Sequence, residues 1–491
     1  HMGFHCIACN RDKGIIHGMK DAKAGNIISI ACCQNCGLVQ LKEVPNELDL
    51  FEFYKSKYRV QYRKQEKPSP KHVYRAGAQA ISRLKKIAHL IGKNAKLLDN
   101  LGVSFIECGW PGASPKEEEF FKNAIKSSID KSVTPGFKIL RAFMLKTQKN
   151  ANKNHGVWSQ PNGDEFYKLR IRTFTTTDYS PEEIHQMGLN EVERISNRMK
   201  EILTSLGYDE KKSVGELMNE LNEDPDFLYA DTPDRKQIVV NDYTEMVNEA
   251  IEVMTDYFHT MPKAGVVVKA VPEYSEQTAA GGYYQAPALD GSRPGVFYAN
   301  LYDIKQTPTY SMRTLAYHEA TPGHHHQIAH SLENEELTMY RRFGYRTSAF
   351  SEGWALYSEQ LALEVGLAEN PYDELGILQS ELFRANRLVV DTGMHYKKWT
   401  REKAMEYMKS VTGMSDTEVK VEIERYIVWP GQALSYKVGM IKILELREKA
   451  KNMLGDKFNI KDFHSAVLDH GNPPLFIVEE MVDKMIKDSL N

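Results

Sequence analysis

The sequence predicts a mainly α protein, with one large helical domain, a small β-sheet beside a histidine-rich helix, and an N-terminal zinc ribbon. Three observations predict it. From about Val133 onward apolar residues recur at helical spacing, and strand-like segments are few. Five of the sixteen His lie between positions 318 and 330. Five of the six Cys lie within the first 36 residues, four of them in two C-x2-C pairs.

Composition narrows the function classes. The chain has 491 residues, a length for about three domains. With 42% hydrophobic and 26% charged residues it reads as an ordinary globular chain. Lys+Arg 63 against Asp+Glu 66 leaves a net charge of −3, so neither nucleic acid nor a membrane is an expected partner. No apolar run reaches the length of about 18 residues that a transmembrane helix needs. The start, His1-Met2-Gly3-Phe4, lacks the charged and apolar regions of a signal peptide, so the expected location is cytoplasmic.

The first element is a ribbon over 1–45. Cys6 and Cys9 form one hook, Cys33 and Cys36 a second, with 23 residues between them. Two such hooks supply four thiolates at tetrahedral spacing, a closed site that holds structure and leaves no position for substrate. One structural zinc is expected there. This pattern, followed by Tyr54-Lys55-Ser56-Lys57-Tyr58, resembles the N-terminus of SAM-dependent methyltransferases, in which a zinc ribbon precedes a Rossmann-like domain. Ala95-Lys96-Leu97-Leu98-Asp99 looks like the first strand of that domain. The glycine-rich loop that nucleotide binding requires does not follow it, so methyl transfer is not expected.

Residues 46–131 read as a helical connector of mixed origin. Within it, Leu101-Gly102-Val103-Ser104-Phe105 through Trp110-Pro111-Gly112 and Pro115-Lys116-Glu117-Glu118-Glu119 resembles an early strand–loop–helix of citramalate/isopropylmalate synthase barrels. A (β/α)8 barrel needs on the order of 250 residues, so a segment this short serves as a connector.

The domain over 132–491 carries the rest. Ser180-Pro181-Glu182-Glu183 is a helix start, with Ser at the N-cap, Pro at the first position and acids in the first turn, and the helix runs towards Leu203. Asn241 to His259 is a second amphipathic run. Gly265 to Val271 and Gly295 to Leu301 are strand-like, with loops at 281–284 and 290–295 between them.

Function concentrates in Tyr317-His318-Glu319-Ala320-Thr321-Pro322-Gly323-His324-His325-His326. A metallopeptidase helix carries H-E-x-x-H, with both His on one face and the Glu between them as general base. Here Pro322 stands where the second His belongs, and it removes the N–H that would bond the His318 carbonyl. If the Pro-Gly pair loops out as a two-residue insertion, His324 takes the place of the second ligand. On an unbroken helix His325 falls close to the face of His318, two turns along, and is the alternative. Glu352, 28 residues after His324, can return a carboxylate on an antiparallel helix. Two His, one Glu and an open position form the ligand set of catalytic zinc. Glu359 lies seven residues further on the same face and could orient a ligand.

His318 to His325, together with Glu352-Gly353-Trp354-Ala355-Leu356-Tyr357 and Pro430-Gly431-Gln432-Ala433-Leu434-Ser435-Tyr436, resembles an uncharacterised bacterial family grouped with the gluzincin-like zinc peptidases. The resemblance covers about 132–491 and implies a helical zinc-peptidase-like domain. Members usually carry more helices at the N-terminus than this chain does.

The expected function is a zinc-dependent hydrolase acting on a peptide or small amide, with one catalytic zinc beside the structural one. Glu319 takes a proton from the attacking water, and Tyr436 and His395 are candidate donors to the developing oxyanion. Tyr298, Arg387 and Arg425 are candidate substrate contacts. Tyr298 belongs to the strand expected to pair with an extended peptide. Arg387, Asp391 and His395 recur every four residues and are expected to form a polar stripe facing the cleft. The competing reading is a non-enzymatic ribbon and helical binding protein with a relic metal site.

Overall fold

The computed structural model describes residues 126–127, 129–149 and 151–491 except 278, 290 and 304–306, together with the backbone of three strands between 14 and 41. Cys6, Cys9 and Cys36 lie outside the described residues, and Cys33 is described only as backbone. The expected structural zinc therefore falls outside what the structure describes. The chain divides into two compact units, His1–Asn152 and Lys153–Asn491.

In the first unit, β1 (Gly14–Lys20), β2 (Ile27–Cys33) and β3 (Val39–Leu41) form an antiparallel sheet in that order. Gly14 lies opposite Cys33, and Ile30 opposite Leu41. A separate helix, α1, spans Thr134–Gln148.

The second unit is mainly helical. It opens with α2 (Gly163–Thr175), α3 (Pro181–Ser205), α4 (Val214–Glu223) and α5 (Arg235–Met254). The expected start of α3 is realised as a capping box. Ser180 Oγ accepts from the Glu183 N–H at 3.2 Å, and the Ser180 N–H donates to Glu183 Oε2 at 2.7 Å. These two bonds satisfy donors that a helix start otherwise leaves unmet.

A small mixed sheet follows: β4 (Val266–Ala270), β5 (Gly282–Gln285) and β6 (Gly295–Ala299), in the order β4-β6-β5. Two expectations change here. Residues 282–285 are a strand, although Gly281-Gly282-Tyr283-Tyr284 read as a loop. More consequentially, β6 is the central strand, parallel to β4 and antiparallel to β5. Its backbone is engaged on both sides, so the strand carrying Tyr298 has no free edge for a peptide.

The remaining helices are α6 (Met312–Glu319), α7 (His324–Glu333), α8 (Ser348–Glu364), α9 (Pro371–His395), α10 (Arg401–Thr412), α11 (Asp416–Val428), α12 (Ser435–Leu454), α13 (Ile460–Leu468) and α14 (Leu475–Leu490). Short α6 packs against α5, α8, α9 and β5. Its apolar residues Met312, Ala316 and Tyr317 enter the main core with Tyr243, Phe350, Trp354 and Ile443. A second core joins α3, α4 and α9 through Ile195, Met199, Leu217, Leu382 and Val389.

Helices α8 and α12 approach unusually closely. A Cβ on Gly439 would stand 2.0 Å from the Ala349 carbonyl oxygen, and one on Gly353 would stand 2.5 Å from Gly439 Cα. Only paired glycines allow this contact. It sets the α8 residue next to Gly353, which is Glu352, beside the first turn of α12.

Candidate metal centre

The histidine motif folds as a broken helix. The Ala320 N–H still bonds the Ala316 carbonyl at 2.9 Å, four residues back. Beyond it the Gly323 N–H reaches Tyr317 O at 2.9 Å and the His326 N–H reaches Ala320 O at 3.3 Å, six residues back in each case. The ordinary α spacing is four, so two residues are extruded. The extruded turn includes a cis Thr321–Pro322 peptide. Gly323 is confined to glycine by space, because a Cβ there would stand 2.0 Å from His318 O. The Trp354 indole N–H donates to Pro322 O at 2.8 Å, fastening the turn to the helix that carries Glu352.

The extrusion brings His324, not His325, to the face of His318. Their rings meet edge to face at 4.8 Å between centroids. Nε2 of His318 lies 3.7 Å and Nε2 of His324 lies 3.4 Å from the same Glu352 oxygen. One ligand atom from each of the three falls within 4.8 Å of the others. Metal–ligand bonds of about 2.0–2.1 Å at tetrahedral angles put neighbouring ligand atoms about 3.3–3.4 Å apart, close to the 3.4 and 3.7 Å that separate each His from Glu352, and the donor set fits zinc in type. His325 turns away and pairs its Nδ1 with the Tyr284 hydroxyl of β5 at 2.9 Å.

Electrostatics bind the cluster together. Burial alone would push the Glu352 carboxyl up, but His324 and His318 hold it well below the ordinary range. Burial would lower His318, yet Glu352 and Glu359 raise it to about 9. Glu359 is buried and fully engaged: Oε1 lies 2.6 Å from His318 Nδ1, and Oε2 accepts from the Thr314 hydroxyl at 2.6 Å. Burial would raise its carboxyl too, and contact with His318 and the charge of Arg384 bring it below its usual value. Thr314, one turn before His318 on α6, went unnoticed in the sequence, although its four-residue offset was visible there.

Glu319 sits at the end of α6, buried, with Oε2 bonded to no protein group. Tyr436 stands in the first turn of α12. Burial and then the nearby charge of Glu352 both raise its hydroxyl above the ordinary value. The Arg387 guanidinium lies 4.5 Å over its ring. Arg425 Nη1 donates to Gln432 Oε1 at 2.7 Å, and the Gln432 side chain in turn bonds Tyr436. A cavity of about 370 Å³ opens against His318 and Glu359, walled by Tyr243, Thr314, Leu315, Phe383 and Arg384.

Several expected roles change place. His395 is fully buried, with Nδ1 accepting from the Val157 N–H at 3.2 Å and Nε2 donating to Tyr426 O at 3.1 Å. Both ring nitrogens are committed to the backbone, so it has no proton to offer an oxyanion. Asp391 accepts from the Tyr167 hydroxyl at 2.6 Å and from the Gly431 N–H at 3.1 Å. The stripe on α9 thus ties α2 and the 430 turn to the core and does not open on a cleft. Arg387 and Arg425 share Glu422, at 3.2 and 2.9 Å, and their charges counter the rise in the Tyr436 hydroxyl. Tyr298 stacks on Tyr283 at 4.9 Å and its hydroxyl reaches Gln285.

A family profile matches residues 40–482. The chain belongs to the family described as "Bacterial protein of unknown function (DUF885)". The match begins well before position 132, where the motif resemblance started. A crystal structure described as that of a "putative lipoprotein" from Colwellia psychrerythraea is 44% identical, with a TM-score of 0.73 over 76% of this chain. This chain spans 64% of that one. A second structure, from Shewanella oneidensis, shares the fold at 21% identity and a TM-score of 0.60, covering 80% of this chain and 72% of its own. Short matches to (R)-citramalate synthases also occur. The protein from Sulfolobus acidocaldarius is 51% identical over 43 residues, 8% of its length. That from Geobacter sulfurreducens is 31% identical over 67 residues, 13% of its length. Segments of this size are far short of a barrel.

Proposed function

We propose that the second unit is a zinc-dependent hydrolase acting on peptide or small amide bonds, as expected of a gluzincin-like site. The observation that carries the reading is the convergence of His318 Nε2, His324 Nε2 and a Glu352 oxygen, with the unpaired buried carboxyl oxygen of Glu319 adjoining in sequence. His318, His324 and Glu352 would hold the ion. Bound there, zinc would act as a Lewis acid toward water and the scissile carbonyl.

The chain's own groups supply the rest. Glu319 accepts a proton from the attacking water and returns it to the leaving amine. Tyr436, supported by Arg387 and by the Arg425–Gln432 pair, presents a hydroxyl hydrogen to the developing oxyanion. Glu359 and Thr314 fix the His318 ring with Nε2 toward the centre. Strand β5, at the outside of its sheet and next to α6, takes over from β6 as the edge for an extended peptide.

A four-thiolate zinc on Cys6, Cys9, Cys33 and Cys36 remains a separate proposal resting on their spacing. The cytoplasmic location expected from the N-terminus stands beside a similar structure described as that of a "putative lipoprotein", and cell fractionation distinguishes the two. Glu319→Gln tests the mechanism. The variant should keep its metal while peptide hydrolysis falls by about 10²–10⁴-fold. Equal hydrolysis by both proteins contradicts it. Zinc bound only by the cysteines, in an amount unchanged by loss of His318 and Glu352, favours the non-enzymatic binding protein with a relic metal site.

A further inference from the structure

Among the described residues, helix α1 is exposed along its length, from Gly136 to Gln148. Phe137, Ile139, Leu140, Phe143 and Met144 are each at least 53% exposed. Between Lys131 and Lys149 there are five basic residues and no acidic one.

These residues are sorted by face. At about 100° per residue, the five apolar side chains fall in a sector roughly 160° wide, and Lys138, Arg141, Lys146 and Lys149 in an opposing sector roughly 140° wide. Leu145 is the one large apolar residue on the basic side. Thr147 lies on the apolar side, but its hydroxyl donates to Met144 O at 3.0 Å and so leaves no unmet donor there.

We propose that α1 is an interfacial helix that docks on an anionic lipid bilayer, apolar sector toward the acyl chains and basic sector among the headgroups. A broad apolar face opposite Lys and Arg, with little net hydrophobicity, is the pattern of helices that lie in a membrane interface. It does not cross the membrane, since no helix among the described residues is long and apolar enough to do so. Charge separates this occupant from a second copy of the chain. A paired α1 would bring the same excess of positive charge with no acid in the helix to offset it, whereas anionic headgroups neutralise it. The net charge of −3 concealed this patch because it averages over the whole chain.

The test is flotation of the full chain with phosphatidylcholine vesicles, with and without phosphatidylserine, at low and high salt. The substituted residues are exposed and belong to no core among the described residues. The wild type should float only with the anionic vesicles. Phe143→Asp and the double variant Lys138→Glu, Arg141→Glu should each lose at least about tenfold in partitioning. High salt should weaken the wild type. Failure of the wild type to bind, or binding unchanged in both variants, overturns the proposal. So does a wild type that self-associates in sedimentation and ignores vesicles, with Phe143→Asp returning it to monomer.

Discussion

Nδ1 of His318 lies 2.6 Å from Oε1 of Glu359, and both groups are buried. This contact gives an Nδ1 proton its acceptor and leaves Nε2 facing Glu352. A carboxylate in that position both orients a ligand and raises its basicity. Glu359→Gln should therefore lower metal affinity by roughly 10–100-fold, read by competition with a chromophoric chelator. An unchanged affinity would make Glu359 a packing residue.

The glycine pair between α8 and α12 is expected to matter to the site as well as to the core. In Gly439→Ala the new methyl meets the Ala349 carbonyl oxygen, and the helices must separate. Overpacking of this kind costs about 1–3 kcal/mol. Urea unfolding should show that loss. Hydrolysis should fall with it, because Glu352 on α8 and Tyr436 on α12 move apart.

Lys437 is fully buried, with Nζ 2.5 Å from Glu381 and 2.8 Å from Glu191. Removing the cation leaves buried Glu381 and partly buried Glu191 with Arg194 as their remaining partner. Lys437→Met should therefore cost less than the roughly 3–5 kcal/mol of a buried pair broken from one side, read by urea unfolding.

The same cluster gives a pH dependence with a definite sign. Burial would raise the Glu191 carboxyl, but Arg194 and Lys437 outweigh it and lower it from 4.5 to about 2. A depressed folded-state value stabilises the protein above the unfolded value and loses that contribution as pH falls. The stability advantage of wild type over Glu191→Gln should thus be full above about 4.5 and shrink toward about 2. An advantage that grows on acidification would contradict the assignment.

Much of the site was legible because it obeys short-range rules. Pro322 and Gly323 announced a break, and counting residues across it favoured His324 over His325. Ser180 and Glu183 announced the start of α3 in the same way. What failed depended on distant partners. The period of four that links Arg387, Asp391 and His395 identifies one face of α9, but not that Tyr167, Val157 and Gly431 cover it. Similarly, the apolar run of β6 marks a strand without saying that β4 and β5 flank it. The Gly282-Tyr283-Tyr284-Gln285 segment becomes a strand through pairing with β6, which local propensity does not encode.

The two-residue extrusion brings His324, and not His325, to His318 and Glu352. Zinc equivalents per chain, measured by elemental analysis of the wild type, His324→Ala and His325→Gln, test it most directly. Any zinc held by the cysteines cancels in the comparison. The expected result is loss of one equivalent in His324→Ala and full retention in His325→Gln. Loss in His325→Gln with retention in His324→Ala would contradict it.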